Sequence, residues 1–277
     1  MRKIFAILLF AVCISGYAQE VVPFALTKQN ARATYRVVYE KKGSNKVLSY
    51  YNIAVNSVTK GDDGTKMVVY RTDFLYEEKQ KSILHKRYGG SKGGFFNQIM
   101  LAADGSYAMD QDMDFGYGEE MARSGFMFKI PNKLTVGQTL ESGTVNQKYV
   151  SYQGGAKAEI KTNLAYYNVK VDREEDYETL AGIFHCYVIT YNISGSIILS
   201  NFIQSFPYNI NQSVTMWVAP GIGVVCYKVY SISPESDAIF MYPVGMLTTA
   251  LLDKFPCKKQ KLPLVPVYVE LCELEGM

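Results

Sequence analysis

The sequence predicts a mostly β protein: a curved antiparallel sheet forming a half-barrel or barrel-like body, with one or two short helices. Three observations carry this. Apolar and polar residues alternate with a period of two over many segments, which sets one face of a strand on a core and the other in water. Clusters of Gly, Asp and Asn separate those segments at short intervals, as hairpins require. Aromatic residues make up 13% of the chain, with 22 Tyr and 14 Phe, a composition suited to half-buried pleated surfaces.

The first strand is expected over 33–41, where Tyr35, Val37 and Tyr39 face one way and Arg36 and Glu40 the other. A second over 47–58 groups Tyr51, Ile53 and Val55. The turn Gly61-Asp62-Asp63-Gly64 leads into a third strand over 65–76, completing a hairpin. Further strands are expected over 82–88, 95–102, 144–152, 160–172, 182–193, 214–219, 224–232, 238–242 and 247–255, with a last one over 265–271. Residues 110–123 and 201–208 are the two segments expected to hold short helices. No linker, fixed-period repeat or low-complexity stretch divides the chain. Residues 19–277 are therefore expected to form a single β-rich domain, with 256–277 as a C-terminal tail.

The N-terminus reads as an address. Arg2 and Lys3 precede an apolar run from Ile4 to Ile14, too short to span a bilayer as a mature helix. Gly16 and Ala18 then supply the small residues before a cut between Ala18 and Gln19. Residues 1–18 are expected to be a secretory signal peptide. Val12, before Cys13, is not the small residue that lipid attachment to that cysteine requires. No later apolar run approaches the roughly 18 residues of a membrane helix, so no transmembrane segment is expected in the mature chain.

Charge and cysteine content narrow the function classes. Lys plus Arg is 29 and Asp plus Glu 26; without residues 1–18 the balance is 27 against 26, a net charge of +1. That excludes general electrostatic binding to nucleic acid. Four cysteines follow the signal segment: Cys186, Cys226, Cys257 and Cys272. In an oxidising compartment they allow three pairings. Cys257 and Cys272 are the candidate disulfide, one that would staple the tail, whereas Cys186 and Cys226 sit in apolar strand-like runs and read as buried thiols. No Cys/His spacing fits zinc.

Catalytic patterns are present only in outline. Gly89-Gly90-Ser91-Lys92-Gly93 has nucleophile-elbow spacing, but that motif needs a strand, a sharp turn and a helix, and Gly94-Phe95-Phe96 follows in a β context. It reads as a glycine-rich surface loop. His85 and His185 are the only histidines, and no acid pair stands out for general acid–base work. Asp110, Asp112 and Asp114 alternate as in a calcium loop, yet Gly116 comes one place late and Met121 holds the twelfth position; they read as a solvated acidic face. Gly221-Ile222-Gly223 lacks the third glycine of a phosphate loop and reads as a tight turn. Lys258-Lys259-Gln260-Lys261 is too short a basic run to mean nucleic acid. The chain is expected to be no enzyme and to need no cofactor.

Three ordered stretches carry a family resemblance: Ile130-Pro131-Asn132-Lys133-Leu134-Thr135-Val136-Gly137-Gln138-Thr139-Leu140, then Glu178-Thr179-Leu180-Ala181-Gly182-Ile183-Phe184-His185-Cys186-Tyr187, then Trp217-Val218-Ala219-Pro220-Gly221-Ile222-Gly223-Val224-Val225. Together they resemble the TapB-like family of secreted Gram-negative proteins, related to a domain of unknown function, over about residues 30–255. The resemblance implies a curved sheet in the periplasm or outer envelope and structural roles for Pro131, Gly137, Gly182, Phe184, Cys186, Trp217, Pro220, Gly221 and Gly223. The first motif would be a turn before a strand. Gly182 would open a strand with Phe184 and Tyr187 on opposite faces, and Pro220 to Gly223 would turn a hairpin. Ile183 stands where the family usually has Thr. The resemblance supplies no catalytic residue.

These readings converge on a non-enzymatic, exported envelope protein that binds a lipid-like or other apolar ligand in the concavity of its sheet. The alternative partner is another envelope protein, with the chain acting as an interaction or structural module through strand edges or its tail. A glycan platform on Trp217 would require that side chain to be exposed.

Overall fold

The computed structural model describes residues 22–41, 44–75, 94–109, 118–153, 156–200, 203–232 and 267–277. They build one antiparallel sheet of thirteen strands and no helix. The strands are β1 (Arg32–Lys41), β2 (Ser44–Lys60), β3 (Lys66–Leu75), β4 (Gly94–Leu101), β5 (Tyr107–Met109), β6 (Gly118–Gly125), β7 (Phe128–Ile130), β8 (Thr144–Gln153), β9 (Ala156–Thr179), β10 (Gly182–Ser200), β11 (Ser205–Ala219), β12 (Gly223–Ser231) and β13 (Val267–Glu275). Their spatial order is β6-β8-β9-β10-β11-β12-β13-β1-β2-β3-β4-β5-β7.

The ladder of strands is not closed, and β6 and β7 are its two ends. Those ends are also neighbours in sequence, separated only by Phe126 and Met127. Gly125 of β6 lies opposite Val145 of β8. Past the break the same register continues: Gly143 N–H donates to Met127 O, Phe128 bridges Ser142, and Lys129 N–H donates to Glu141 O, both hydrogen bonds being 2.9 Å. β7 then holds β5 through Tyr107–Ile130, Ala108–Lys129 and Met109–Phe128. One run of chain thus links the two ends of the curved sheet along a short seam, which gives the body its barrel-like form.

The end of the body that holds the β9–β10 and β11–β12 turns is filled by the chain's own N-terminal segment. Phe24, Ala25 and Leu26 are buried there. Their carbonyls satisfy core phenols: Tyr107 OH donates to Phe24 O (2.7 Å) and Tyr70 OH to Leu26 O (2.8 Å). Gly221 N–H donates to Pro23 O (2.7 Å), and the Phe24 ring meets Tyr187 edge-on at 5.5 Å. Each of these buried hydroxyls has a partner, which is what makes so many interior tyrosines tolerable. Tyr35 OH likewise reaches Val224 O at 2.8 Å, and Tyr191 OH donates to Tyr227 OH at 3.2 Å.

Three expectations change. The two segments expected to be helical hold no helix where they are described: 118–123 lies in β6, 205–208 in β11, and 203–204 precede that strand. Neighbouring strands supply their backbone hydrogen bonds, and that pairing outweighs weak local helix preference. β9, β10 and β11 run well beyond their expected limits, because Ser, Asn and Gly within 192–196 and 209–213 form strand rather than turn. The expected tail is not separate either: residues 267–275 form β13, set between β12 and β1 in the middle of the sheet. The strands expected over 82–88, 238–242 and 247–255 lie outside the described residues.

Candidate functional site

On the inner face, burial falls away toward the β10–β11 turn. Along β11 the inward residues are Met216, Val214, Gln212, Ile210, Tyr208 and Phe206. Met216 and Val214 are fully buried and Ile210 is 2% exposed, whereas Tyr208 is half-buried and Phe206 is 44% exposed. β9 repeats the trend, from buried Leu164 and Thr162 to half-buried Ile160. Ile197 of β10, opposite both Thr162 and Tyr208, completes this apolar rim. The inner face also carries four uncharged polar side chains, all buried: Gln147 and Thr162 level with Ile197, and Gln212 and Thr72 elsewhere along it. Thr72 Oγ1 is buried without a hydrogen-bond partner, a cost of about 1–3 kcal/mol. None of these inward-facing side chains carries a charge. The arrangement suits a neutral, largely apolar molecule with a few polar atoms.

The outer face carries a different cluster. A row of directly paired residues crosses five strands: Val188, Trp217, Cys226, Glu270 and Arg36. The bulge in β9 around Asp172 carries Arg173, Glu175 and Tyr177 onto the same face. Trp217 Nε1–H donates to Glu175 Oε1 at 2.6 Å. Its ring lies 4.8 Å from that of Tyr177, with the Arg173 and Lys228 cations over it at 5.9 and 5.4 Å. Tyr177 OH donates to Cys226 Sγ at 3.2 Å, and Arg36 Nε–H to Glu270 Oε2 at 2.7 Å. Trp217 is 5% exposed, so the glycan platform fails: the indole is a packed anchor rather than a stacking surface.

This cluster makes a pH prediction. The Arg173 hydrogen bond, followed by that of Trp217, holds the Glu175 carboxyl below its ordinary range. A carboxyl depressed in the folded state contributes stability above its unfolded value, about 4.3, and that contribution is lost as pH falls through the lower folded value. Trp217 is the chain's one tryptophan. Its emission is therefore expected to shift in a step on acidification below about pH 4, and Glu175→Gln should remove that step. A fluorescence titration in which Glu175→Gln keeps the wild-type step would assign it to another group.

The sequence motifs fall where the chain turns and packs. Pro131 follows β7, and Gly137 sits in the turn before Thr139, whose bridge to Lys170 starts the pairing to β9. Gly182 opens β10. Phe184 is half-buried on the Trp217 face, opposite Tyr177, and Tyr187 points the other way toward Phe24. Pro220 and Gly221 turn β11 into β12, which begins at Gly223. Cys186 and Cys226 are buried free thiols, each pushed up to about 12 by burial. Cys272 is a free thiol whose Sγ–H donates to Thr34 O at 3.3 Å; the partner expected for it, Cys257, lies outside the described residues. So do Ala18, Gln19, Ser91, His85, the Asp110–Asp114 run and the lysines at 258–261. His185 is exposed on the Tyr187 side of β10, away from the Trp217 face, with Nδ1 3.0 Å from Asp176 Oδ1. Sequence reasoning missed Glu175, Tyr177 and Lys228. Their signal was three charged or phenolic residues on alternating positions that only strand pairing brings to Trp217.

Two solved structures share the fold. One is a candidate exported protein with a YmcC-like fold from Bacteroides fragilis, 16% identical, with TM-score 0.52, covering 92% of this chain and 100% of that one. The other is a candidate lipoprotein from Parabacteroides distasonis, 13% identical, with TM-score 0.55, covering 93% and 100%. No curated protein matches the chain. The narrower TapB-like likeness finds no support in these matches. A family model does match, over residues 29–232, and the chain belongs to the DUF3108-like family.

Proposed function

We propose that this protein is a non-enzymatic component of the Gram-negative cell envelope that takes a lipid-like, largely apolar ligand at the open end of its curved sheet. The supporting observation is the inner face of β11, which passes from full burial at Met216 to 44% exposure at Phe206 without meeting a charge. An uncharged, progressively exposed concave wall loses little when it desolvates against an apolar molecule, whereas charged groups there would oppose binding. The signal-like N-terminus and the descriptions of the two structural relatives as a candidate exported protein and a candidate lipoprotein support the envelope assignment. The fold alone is no warrant for a ligand; the uncharged wall carries the reading.

The test is native mass spectrometry of protein purified from its own envelope fraction, followed by solvent extraction. The expected result is a stoichiometric apolar adduct that is lost in Ile210→Asp. A clean apo mass, together with a melting temperature unmoved across a lipid panel, would overturn the reading in favour of a protein-interaction module.

A further inference from the structure

The β10–β11 hairpin has a property that the ligand reading does not use. From Cys186 to Tyr227, 42 consecutive residues contain no Asp, Glu, Lys, Arg or His, in a chain of which 20% is charged. Exposed strands ordinarily carry charges that keep them from associating, and from Cys186 onward this pair carries none on either face. Its outer face between 194 and 213 is Ser, Asn, Ile and Pro instead. At its end, Ile203 is 83% and Phe206 44% exposed, and the Ser200 and Ser205 hydroxyls close on each other at 2.9 Å. Charge returns one strand away. Lys148 and Lys161 share Glu159 at 3.5 and 2.9 Å, and Lys161 lies opposite Ile198 of β10. Two lysines to one glutamate leave an excess positive charge a few residues behind the apolar end.

We infer that the end of the β10–β11 hairpin docks on a lipid bilayer, with Ile203 and Phe206 entering the interfacial layer and Lys148 and Lys161 meeting anionic headgroups. The match is one of charge. The interior of a bilayer rejects charged groups, and the hairpin offers none from Cys186 through its turn to the end of β11; the bilayer surface is anionic, and the lysines stand at the depth where headgroups lie. Another exposed apolar pair, Leu180 at 66% and Ile183 at 69%, at the β9–β10 turn, lacks this match. It lies at the opposite end of β10, about 60 Å away, among Glu174, Asp176 and Glu178, which an anionic surface repels. The inference rests on the proposed function in one respect: the apolar rim opens at the docking end, so a lipid would pass between membrane and sheet without crossing water.

Flotation of the full mature chain with vesicles of phosphatidylethanolamine and a minority of phosphatidylglycerol tests it. The wild type should float. Ile203→Asp with Phe206→Asp should reduce flotation by about tenfold or more, and Leu180→Asp with Ile183→Asp should leave it unchanged. Ile203→Ser alone, at a side chain too exposed to support the fold, should reduce flotation measurably with an unaltered melting temperature. Failure of the wild type to float, or equal loss in both aspartate pairs, overturns the docking. Uptake of an apolar fluorescent probe without vesicles separates the two ideas. Uptake without flotation refutes the docking and keeps the ligand site; flotation without uptake keeps the docking and refutes the ligand site.

Discussion

Deletion of residues 267–277 is expected to abolish cooperative folding. Although it ends the chain, β13 pairs with β1 over eight residues and with β12 over four, so its removal parts the sheet through the middle. The buried side chains Tyr268, Val269 and Leu271 go with it. Each is worth about 1.5–3 kcal/mol when fully buried, so the three together approach the whole stability of an ordinary domain, about 5–15 kcal/mol. The deletion also strips Arg36 of Glu270, which faces it at 2.7 Å, and leaves two strand edges open to association. The measurement is thermal unfolding followed by far-ultraviolet circular dichroism, with size-exclusion chromatography for aggregation. A cooperative melt within a few degrees of the full chain would show β13 to be dispensable. The milder Leu271→Ala should cost about 2–5 kcal/mol and still fold, which locates the effect in the strand's packing rather than in chain length.

The place of β13 also marks where sequence reading stops. A run such as Val267-Tyr-Val-Glu-Leu announces a strand, and period two over 33–41, 47–58 and 144–152 outlines β1, β2 and β8 to within a few residues. Strand order is another matter. Nothing local in 267–275 says that its partners are β12 and the first strand of the chain, because non-local pairing is decided by the whole sheet. The described parts of 110–123 and 201–208 hold no helix, against expectation, for a related reason. A period-two face such as Phe206, Tyr208 and Ile210 is short, and only its continuation into Gln212 and Val214 makes it unambiguous. The candidate site divides the same way. The charge-free run that singles out the β10–β11 hairpin is plain in the sequence, but its exposed end, and the lysines of β8 and β9 beside it, need the fold. The Trp217 row needs register: Val188, Trp217, Cys226, Glu270 and Arg36 come from five strands.

Gly195 carries the other large expected effect, and it stands in the middle of the uncharged hairpin. Its φ is +145°, a conformation that L side chains rarely adopt. A Cβ there would lie 2.0 Å from Asn163 O and 3.0 Å from Leu164 Cα, both of them backbone atoms of β9 that cannot move without breaking the ladder between β9 and β10. Strain and collision therefore add. Sparsely populated backbone geometry costs about 1–3 kcal/mol, and forced overpacking about 1–3 kcal/mol more. Gly137 separates the two contributions: its φ is +85°, but nothing lies within 4 Å of the position its Cβ would take. Gly137→Ala should thus cost only the backbone part, about 1–2 kcal/mol, while Gly195→Ala should exceed it by about 1–3 kcal/mol. Urea unfolding of both variants checks this. Equal losses would mean that β9 yields at Asn163, and hence that the close approach of the two strands does not set the bend of the sheet. A larger loss at Gly195 would tie the curvature of the inner wall, and with it the opening beside Tyr208 and Phe206, to one residue without a side chain.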